Sequence, residues 1–171
     1  MIRDLLLHIT RFILFAAVQV FILKKLDITF VNPQLYIMFI LMLPVQLNPG
    51  WLLLSGFILG MTVDVFYNTQ GLCAFAAVFL AYFRIFYLRT TLSKDQLDTI
   101  RQPDIASTDV QWFLIYATVC SFVHHFVLFF AEVFTFTEIL QTLLRIVTST
   151  VATVMLIMLT HFMFFRVRSR E

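Results

Sequence analysis

The sequence is poor in charged residues, in glycine and proline, and in cysteine. Only 13% of its 171 residues are Asp, Glu, Lys or Arg, whereas soluble domains contain about 25%. A soluble fold of this length would therefore lack the charged surface that faces water. With four glycines and four prolines, the chain is neither a linker nor a low-complexity segment. Cys73 and Cys120 both lie inside apolar runs, which predicts buried thiols and neither a disulfide nor a metal site.

What the sequence does contain is long, continuous apolar runs rich in Leu, Ile and Phe. Hydrophobic residues make up 61% of the chain, and the mean hydropathy is +0.92. A helix needs about 20 apolar residues to cross a ~30 Å hydrocarbon core. Membrane helices are predicted over residues 5–23, 33–47, 51–66, 72–88, 111–134 and 138–165. We therefore expect an all-α, polytopic transmembrane helix bundle with about six transmembrane helices, in which residues 1–171 form one integral membrane domain.

The second and third predicted spans are the shortest. Pro44 near the end of span two predicts a kink or a helix end, and the run Asn48-Pro49-Gly50 predicts a turn. The two spans could instead form a re-entrant hairpin, which would leave four full crossings. The first span is read as an uncleaved membrane helix, because Lys24 and Lys25 close it and no cleavage motif follows.

Basic residues are distributed unevenly between the predicted loops. With six spans, one side carries Arg3, the polar loop 89–109 and the tail 166–171, which together hold seven Lys and Arg residues, whereas the other side carries only Lys24 and Lys25. The positive-inside rule then places the N- and C-termini in the cytoplasm. Trp112, and Tyr116 one turn later, are expected at the cytoplasmic interface, where amphipathic rings are favoured. The remaining lipid or interface contacts are predicted at Arg166, Arg168 and Arg170.

The third span carries small and polar residues spaced by four, at Gly56, Gly60, Asp64 and Asn68. This spacing places them on one helix face, and a G-x-x-x-G pair lets another helix approach closely. The face is predicted to be a helix-packing or partner face, with a ligand or ion site as the less favoured reading.

Ionisable residues within later spans predict an intramembrane polar lock formed by Asp64, His125, Glu132 and Arg145. A charged side chain within the bilayer is costly without a partner. Arg145 lies about 10 Å inside its helix, so we expect it to pair with Glu132 or with Asp64, which share its depth. The ~10 Å between His125 and Glu132 along their helix argues against a shared metal ion.

No recognised catalytic motif is present in the sequence. Nucleophile elbows, phosphate-binding glycine loops and metal-ligand runs are all missing, so we predict no catalytic residue, no cofactor and no enzymatic activity. The net charge of +2 is too small to indicate a nucleic-acid partner.

The order and spacing of several short motifs resemble the rod shape-determining MreD family of bacteria, most of all its Bacteroidota version. The resemblance covers nearly the whole chain and is densest from Leu43-Pro44 to Arg84. The motifs are Gly56-Phe-Ile-Leu-Gly60-Met-Thr-Val-Asp64, Gly71, Ala81-Tyr82, Trp112-Phe-Leu-Ile-Tyr116, His124-His125, Glu132-Val-Phe134 and Leu143-Leu144-Arg145.

The resemblance implies a non-enzymatic component of the cell-elongation (rod) complex in the bacterial inner membrane. Its partners would be an MreC-like protein, the SEDS glycosyltransferase and transpeptidase of that complex, membrane lipid and, indirectly, the MreB cytoskeleton. Its role would be to organise or regulate peptidoglycan synthesis and cell shape. The family is also thought to share its fold with substrate-binding subunits of vitamin transporters, which makes such a transport subunit the alternative function. A vitamin-type subunit should carry a small-residue stripe on span one, and only the adjacent pair Ala16-Ala17 occurs there.

Overall fold

The computed structural model describes residues 2–26, 31–133 and 139–164, and their regular secondary structure is helical. In chain order, the α-helices are α1 (Ile2–Ala17), α2 (Ile37–Leu41), α3 (Pro49–Tyr67), α4 (Leu72–Thr91), α5 (Lys94–Thr99), α6 (Val110–Val133) and α7 (Ile139–Phe164). A π-helical turn, Val18–Ile22, and a 3-10 turn, Leu23–Leu26, extend α1. Five helices in these ranges are long and apolar enough to cross a membrane, namely α1 with its extension, α3, α4, α6 and α7. The predicted all-α transmembrane bundle is thus confirmed.

The two ends of the bundle differ in their connections. The loop end carries residues 92–109, which include α5, and the turn end carries the short turn 68–71. Arg11 Nη1 donates to Gln102 Oε1 over 3.1 Å, so α1 reaches the loop end at Arg11. The Ile105 amide lies 3.5 Å from His161 Nε2, which brings the last turn of α7 to the same end. The predicted tail 166–171 and the junction between the last two predicted spans, residues 135–137, lie outside the described residues.

The prediction of a full helix over 33–47 is wrong. In its place residues 31–48 form an irregular segment in which only Ile37–Leu41 is α-helical. We call it the buried segment, because its middle part is buried, although Gln46 and Asn48 at its end are exposed. This segment begins beside Gln19, whose Nε2 donates to Pro33 O over 3.2 Å. It ends at the loop, where the Val45 amide donates to Arg101 O over 3.0 Å. The buried segment therefore passes from the turn end to the loop end, antiparallel to α1.

Burial explains why this pass need not be a regular helix. Residues from Gln34 to Leu43 are all buried. Non-helical backbone is tolerated at membrane depth only where protein surrounds it, because lipid offers no hydrogen-bond partners. Pro33 and Pro44 flank these buried residues, and neither has an amide N–H to contribute to a helix. Within residues 2–26, 31–133 and 139–164, the chain thus passes between the two ends of the bundle as five long helices and once as the buried segment.

Candidate functional site: polar side chains around the buried segment

Hydroxyl groups of α7 satisfy the backbone of the buried segment near the turn end. The amide of Asn32 donates to Ser149 Oγ over 2.9 Å, and the amide of Gln34 donates to Thr153 Oγ1 over the same distance. Both hydroxyl-bearing residues are buried. A buried amide without an acceptor costs free energy comparable to a lost hydrogen bond. Ser149 and Thr153 therefore supply what a regular helix would have supplied internally.

Gln19, in the π-helical turn that extends α1, also satisfies backbone groups of the buried segment. Its side chain is fully buried. Its Nε2 donates to Pro33 O over 3.2 Å and to Tyr67 Oη over 2.9 Å, while the Tyr36 amide lies 3.4 Å from its Oε1. Isolated π turns inside helices often occur at functional positions. Here the turn coincides with the residue that joins α1, α3 and the buried segment.

Arg84 on α4 holds the loop-end half of the buried segment. It is 1% exposed, and its Nη2 donates to the carbonyl of Leu43. Its Nε donates to Tyr116 Oη over 3.0 Å, and that hydroxyl in turn donates to Leu41 O over 3.1 Å. One guanidinium and one phenol on two different helices thus satisfy carbonyls at the end of α2 and just after it.

Sequence reasoning missed this arrangement. The sequence pattern assigns no partner to Arg84, and it predicts Tyr116 at the interface, whereas Tyr116 is fully buried. A signal existed in principle, because an arginine deep in an apolar helix requires acceptors. The acceptors are main-chain carbonyls of a segment that was predicted to be helical, and helical carbonyls would have been occupied.

The adjacent histidines of α6 point to different neighbours. His125 Nδ1 lies 2.7 Å from the carbonyl of Ser121, so this nitrogen carries the proton, because a carbonyl only accepts. His125 Nε2 then faces Thr153 Oγ1 at 3.4 Å. His124 Nε2 lies 2.7 Å from Tyr36 Oη. Both imidazoles are therefore tied to the buried segment, one directly and one through the hydroxyl that accepts from Gln34.

Some buried polar atoms in this region lack a hydrogen-bond partner among the described residues. They are Gln34 Oε1, Ser121 Oγ, His124 Nδ1 and Thr150 Oγ1. Buried polar groups are usually satisfied by protein or by ordered water. These atoms are the part of the polar region to which water or a small polar molecule could bind. Within the described ranges, no three His, Cys, Asp or Glu side chains come together as metal ligands would.

The predicted packing face of α3 is occupied by α4 of the same chain. A Cβ atom added at Gly60 would lie 2.4 Å from Ala74 Cα, and one added at Gly56 would lie 3.2 Å from Ala77 O. The two helices thus touch backbone to backbone, as G-x-x-x-G pairs allow. The helix that packs against this face is therefore α4 of the same chain, and the glycine face is not available to a partner protein.

Asp64 closes the turn end of this hairpin. Its carboxylate, 2% exposed, accepts the amides of Cys73 and Ala74 over 3.0 and 2.8 Å and also the Thr69 hydroxyl. A carboxylate at the first turn of a helix satisfies free N–H groups and complements the helix dipole. Asn68 ends α3 in the left-handed conformation at φ 56°, with its amide bonded to Asp64 O. Asp64 is therefore a cap for α4, not a partner of Arg145.

Arg145 instead forms the ion pair predicted with Glu132. Arg145 Nη1 lies 3.1 Å from Glu132 Oε2, and the guanidinium carbon lies 4.3 Å from the ring centre of Phe129. The pair ties α6 to α7 near the turn end, and both side chains keep partial exposure. Of the four residues in the predicted polar lock, only Glu132 and Arg145 contact one another, whereas His125 and Asp64 belong to other contacts.

A double-mutant cycle tests the choice between the two acidic partners. We expect Arg145→Leu and Glu132→Gln to be coupled by about 1 kcal/mol in the free energy of unfolding, because contacting charges are not independent. Unfolding in mixed detergent micelles measures this quantity. The matched control is Arg145→Leu with Asp64→Asn, which should be additive. Coupling to Asp64 in place of Glu132 would show that the pair is assigned wrongly.

Trp112 lies near the loop end, two residues into α6, and packs within an aromatic cluster. Its ring is half-buried and stacks on Tyr116, with 5.2 Å between ring centres and 23° between the planes. Tyr87 of α4 adds a third ring at 6.4 Å from Trp112. Trp112 therefore contributes to helix packing as well as to the predicted interface. Arg166, Arg168 and Arg170 lie outside the described residues.

The site as a whole is a set of polar side chains from four helices that surround one non-helical pass of the chain. Such an arrangement fixes the buried segment in the bundle, since each hydrogen bond is made in a medium that offers little competition. Comparison of the chain with protein-family models, with curated proteins and with solved structures found no match. The resemblance to the MreD family accordingly rests on the residue pattern, and the function drawn from it is a proposal.

Proposed function

We propose that this chain is a non-enzymatic, MreD-like component of the bacterial rod complex. It binds an MreC-like protein in the inner membrane and helps to organise peptidoglycan synthesis by the SEDS glycosyltransferase and its transpeptidase. The MreB cytoskeleton is an indirect partner. In this proposal the loop end of the bundle faces the cytoplasm, so that both termini lie on that side.

One observation supports an interaction protein above other classes. The conspicuous polar residues of the membrane helices serve the fold itself: Ser149, Thr153, Gln19 and Arg84 satisfy the buried segment, and Asp64 caps α4. With these groups committed inside, the bundle presents apolar helix faces to the plane of the membrane. Such faces meet either lipid or the membrane helix of a partner.

The orientation follows from charge. Arg89, Lys94 and Arg101 belong to the end of α4 and the loop that follows it, and Arg11 contacts that loop. Basic residues concentrate on the cytoplasmic side of membrane proteins. The turn end carries Lys24 and Lys25. This imbalance supports a cytoplasmic loop end.

Co-purification from membranes in mild detergent tests the proposal. Glycine-face variants would damage the α3–α4 hairpin, so the informative variants are exposed positions on different helices: Val65→Trp, Ile115→Trp and Met155→Trp, which are 69%, 50% and 68% exposed. We expect an MreC-like protein with the wild type, and its loss in the variant or variants that lie on one face. Each variant should keep the wild-type thermal stability. If no elongation-complex protein is recovered with the wild type, the proposal fails.

A small-molecule-binding or transport subunit is the second candidate. It is favoured by the buried polar atoms that lack partners around Gln34, Ser121 and His124, because a polar ligand could satisfy them. The same purification distinguishes the two functions. Recovery of a stoichiometric small molecule or of an ATPase subunit, without rod-complex proteins, would favour transport.

A further inference from the structure

A groove at the loop end of the bundle lies between α1 and α3, above the buried segment. The buried segment stops being helical after Leu41. The residues that follow Leu41 leave space between α1 and α3, which flank the segment on either side. The groove has a volume of about 490 Å³. Phe39 and Leu43 form its buried floor, while Ile9 and Ile58 line the walls and are about half exposed.

A second, polar pocket of about 340 Å³ adjoins this groove. His8 and Pro44 line both cavities, so the two form one continuous surface. Arg11 and Arg101 bring two positive charges to the polar pocket and Asp104 brings one negative charge. Among the described residues that line it, the combined cavity thus carries two cations and one anion at the bundle end, and it is apolar along the helices.

We propose that this cavity binds one anionic phospholipid of the surrounding membrane. The phosphate-bearing head group lies at Arg11 and Arg101, and one acyl chain follows the apolar groove. Guanidinium groups suit phosphate recognition because they offer several donors in a planar fork. Basic side chains at the membrane surface attract anionic lipid. The charge and the apolar lining thus match the two chemically different parts of one molecule.

The layout of the groove favours an acyl chain over a partner helix. The groove extends along α3 from Trp51 to Ile58, a length of about 10 Å or two helical turns, whereas a partner helix that crosses the membrane would be about 30 Å long. The groove also leads directly into the polar pocket, as the acyl chain and head group of one lipid require. The site is also independent of the proposed function, because it needs no protein partner.

Lipid retention in nanodiscs tests the proposal. The protein is reconstituted in phosphatidylcholine with a minor fraction of phosphatidylglycerol, and the lipid that stays bound is measured by native mass spectrometry. We expect wild type to retain one phosphatidylglycerol preferentially. Arg11→Gln/Arg101→Gln should weaken this retention about thirtyfold, the change expected when both cations of the head-group pocket are lost. The control Arg89→Gln/Lys94→Gln removes the same charge from exposed positions at the same end and should leave retention unchanged.

A second variant keeps the test decisive if the arginine variant unfolds. Ser55 lines the groove, and Ser55→Phe should fill the chain-binding part and reduce retention of both lipids without changing the head-group pocket. Three results would overturn the proposal. Wild type could show no preference for phosphatidylglycerol, or the control pair could reduce retention as much as the arginine pair does. In the third, Ser55→Phe releases a co-purifying single-span protein and leaves lipid retention unchanged.

Discussion

Gly60→Ala should destabilise the protein by about 3 kcal/mol, at the upper end of what overpacking usually costs. The added Cβ would lie 2.4 Å from Ala74 Cα and 2.7 Å from both Ala74 N and Cys73 O. These are backbone atoms, so they cannot move aside as a flexible side chain would. The first turn of α4 would have to separate from α3, and it would lose the hydrogen bonds that it donates to Asp64. Unfolding in mixed micelles, together with the amount of protein in membranes, measures the effect.

Gly56→Ala is the matched control for this prediction. Its added Cβ would meet Ala77 O at 3.2 Å, a contact that a shift of a few tenths of an ångström relieves. Replacing glycine by alanine inside a helix also gains up to ~1 kcal/mol of helix propensity. The two effects offset one another, so the net change should stay within about 1 kcal/mol. Equal losses for the two variants would contradict the close approach of α3 and α4 at Gly60.

Arg84→Met should also cost about 3 kcal/mol. It leaves the Leu43 carbonyl buried without its donor and deprives Tyr116 of a partner, and each unsatisfied buried group costs ~1–3 kcal/mol. Methionine keeps much of the side-chain length, so the loss reflects hydrogen bonding more than an empty cavity. The expected result is a lower midpoint of unfolding.

Tyr116→Phe provides the comparison, because it removes the hydroxyl that donates to Leu41 O and accepts from Arg84 Nε. We expect a loss of about 2 kcal/mol, since each buried group left without a partner costs ~1–3 kcal/mol. The double variant should lose less than the sum of the two, since both residues act on the same stretch of backbone and contact one another. If Arg84→Met were as stable as wild type, the buried segment would not depend on these donors.

The long apolar spans were predictable, because hydropathy over about 20 residues reflects the bilayer itself. The α3–α4 turn was predictable from local chemistry, with Asn68 and Gly71 both at positive φ in the structure. That Arg145 pairs with an acidic residue of similar depth was predictable, but depth alone left Glu132 and Asp64 as equal candidates, and the structure selects Glu132. Each of these features depends on a short stretch of chain or on the position of a residue along its own helix.

The buried segment was not predictable in the same way. Its composition is that of a membrane helix, and what makes it irregular is the presence of donors and acceptors on α1, α4, α6 and α7. The sequence of α6 predicts that His124 and His125 diverge, but it does not reveal Tyr36 and Thr153 as their neighbours. The glycine face of α3 predicts close packing without identifying α4 as the partner. Contacts between distant parts of the chain decide these points.

The most direct test of the architecture is the sidedness of three positions in intact membranes. In a Cys73→Ala/Cys120→Ala background, single cysteines at Lys94→Cys and at Gln70→Cys are labelled with an impermeant reagent, and a tag placed ahead of α1 is probed with protease. If the buried segment is a true sixth crossing, the tag and Lys94→Cys lie together on the cytoplasmic side, and Gln70→Cys is labelled from outside. A tag on the opposite side from Lys94→Cys would mean five crossings, and it would contradict the passage of residues 31–48 through the bundle.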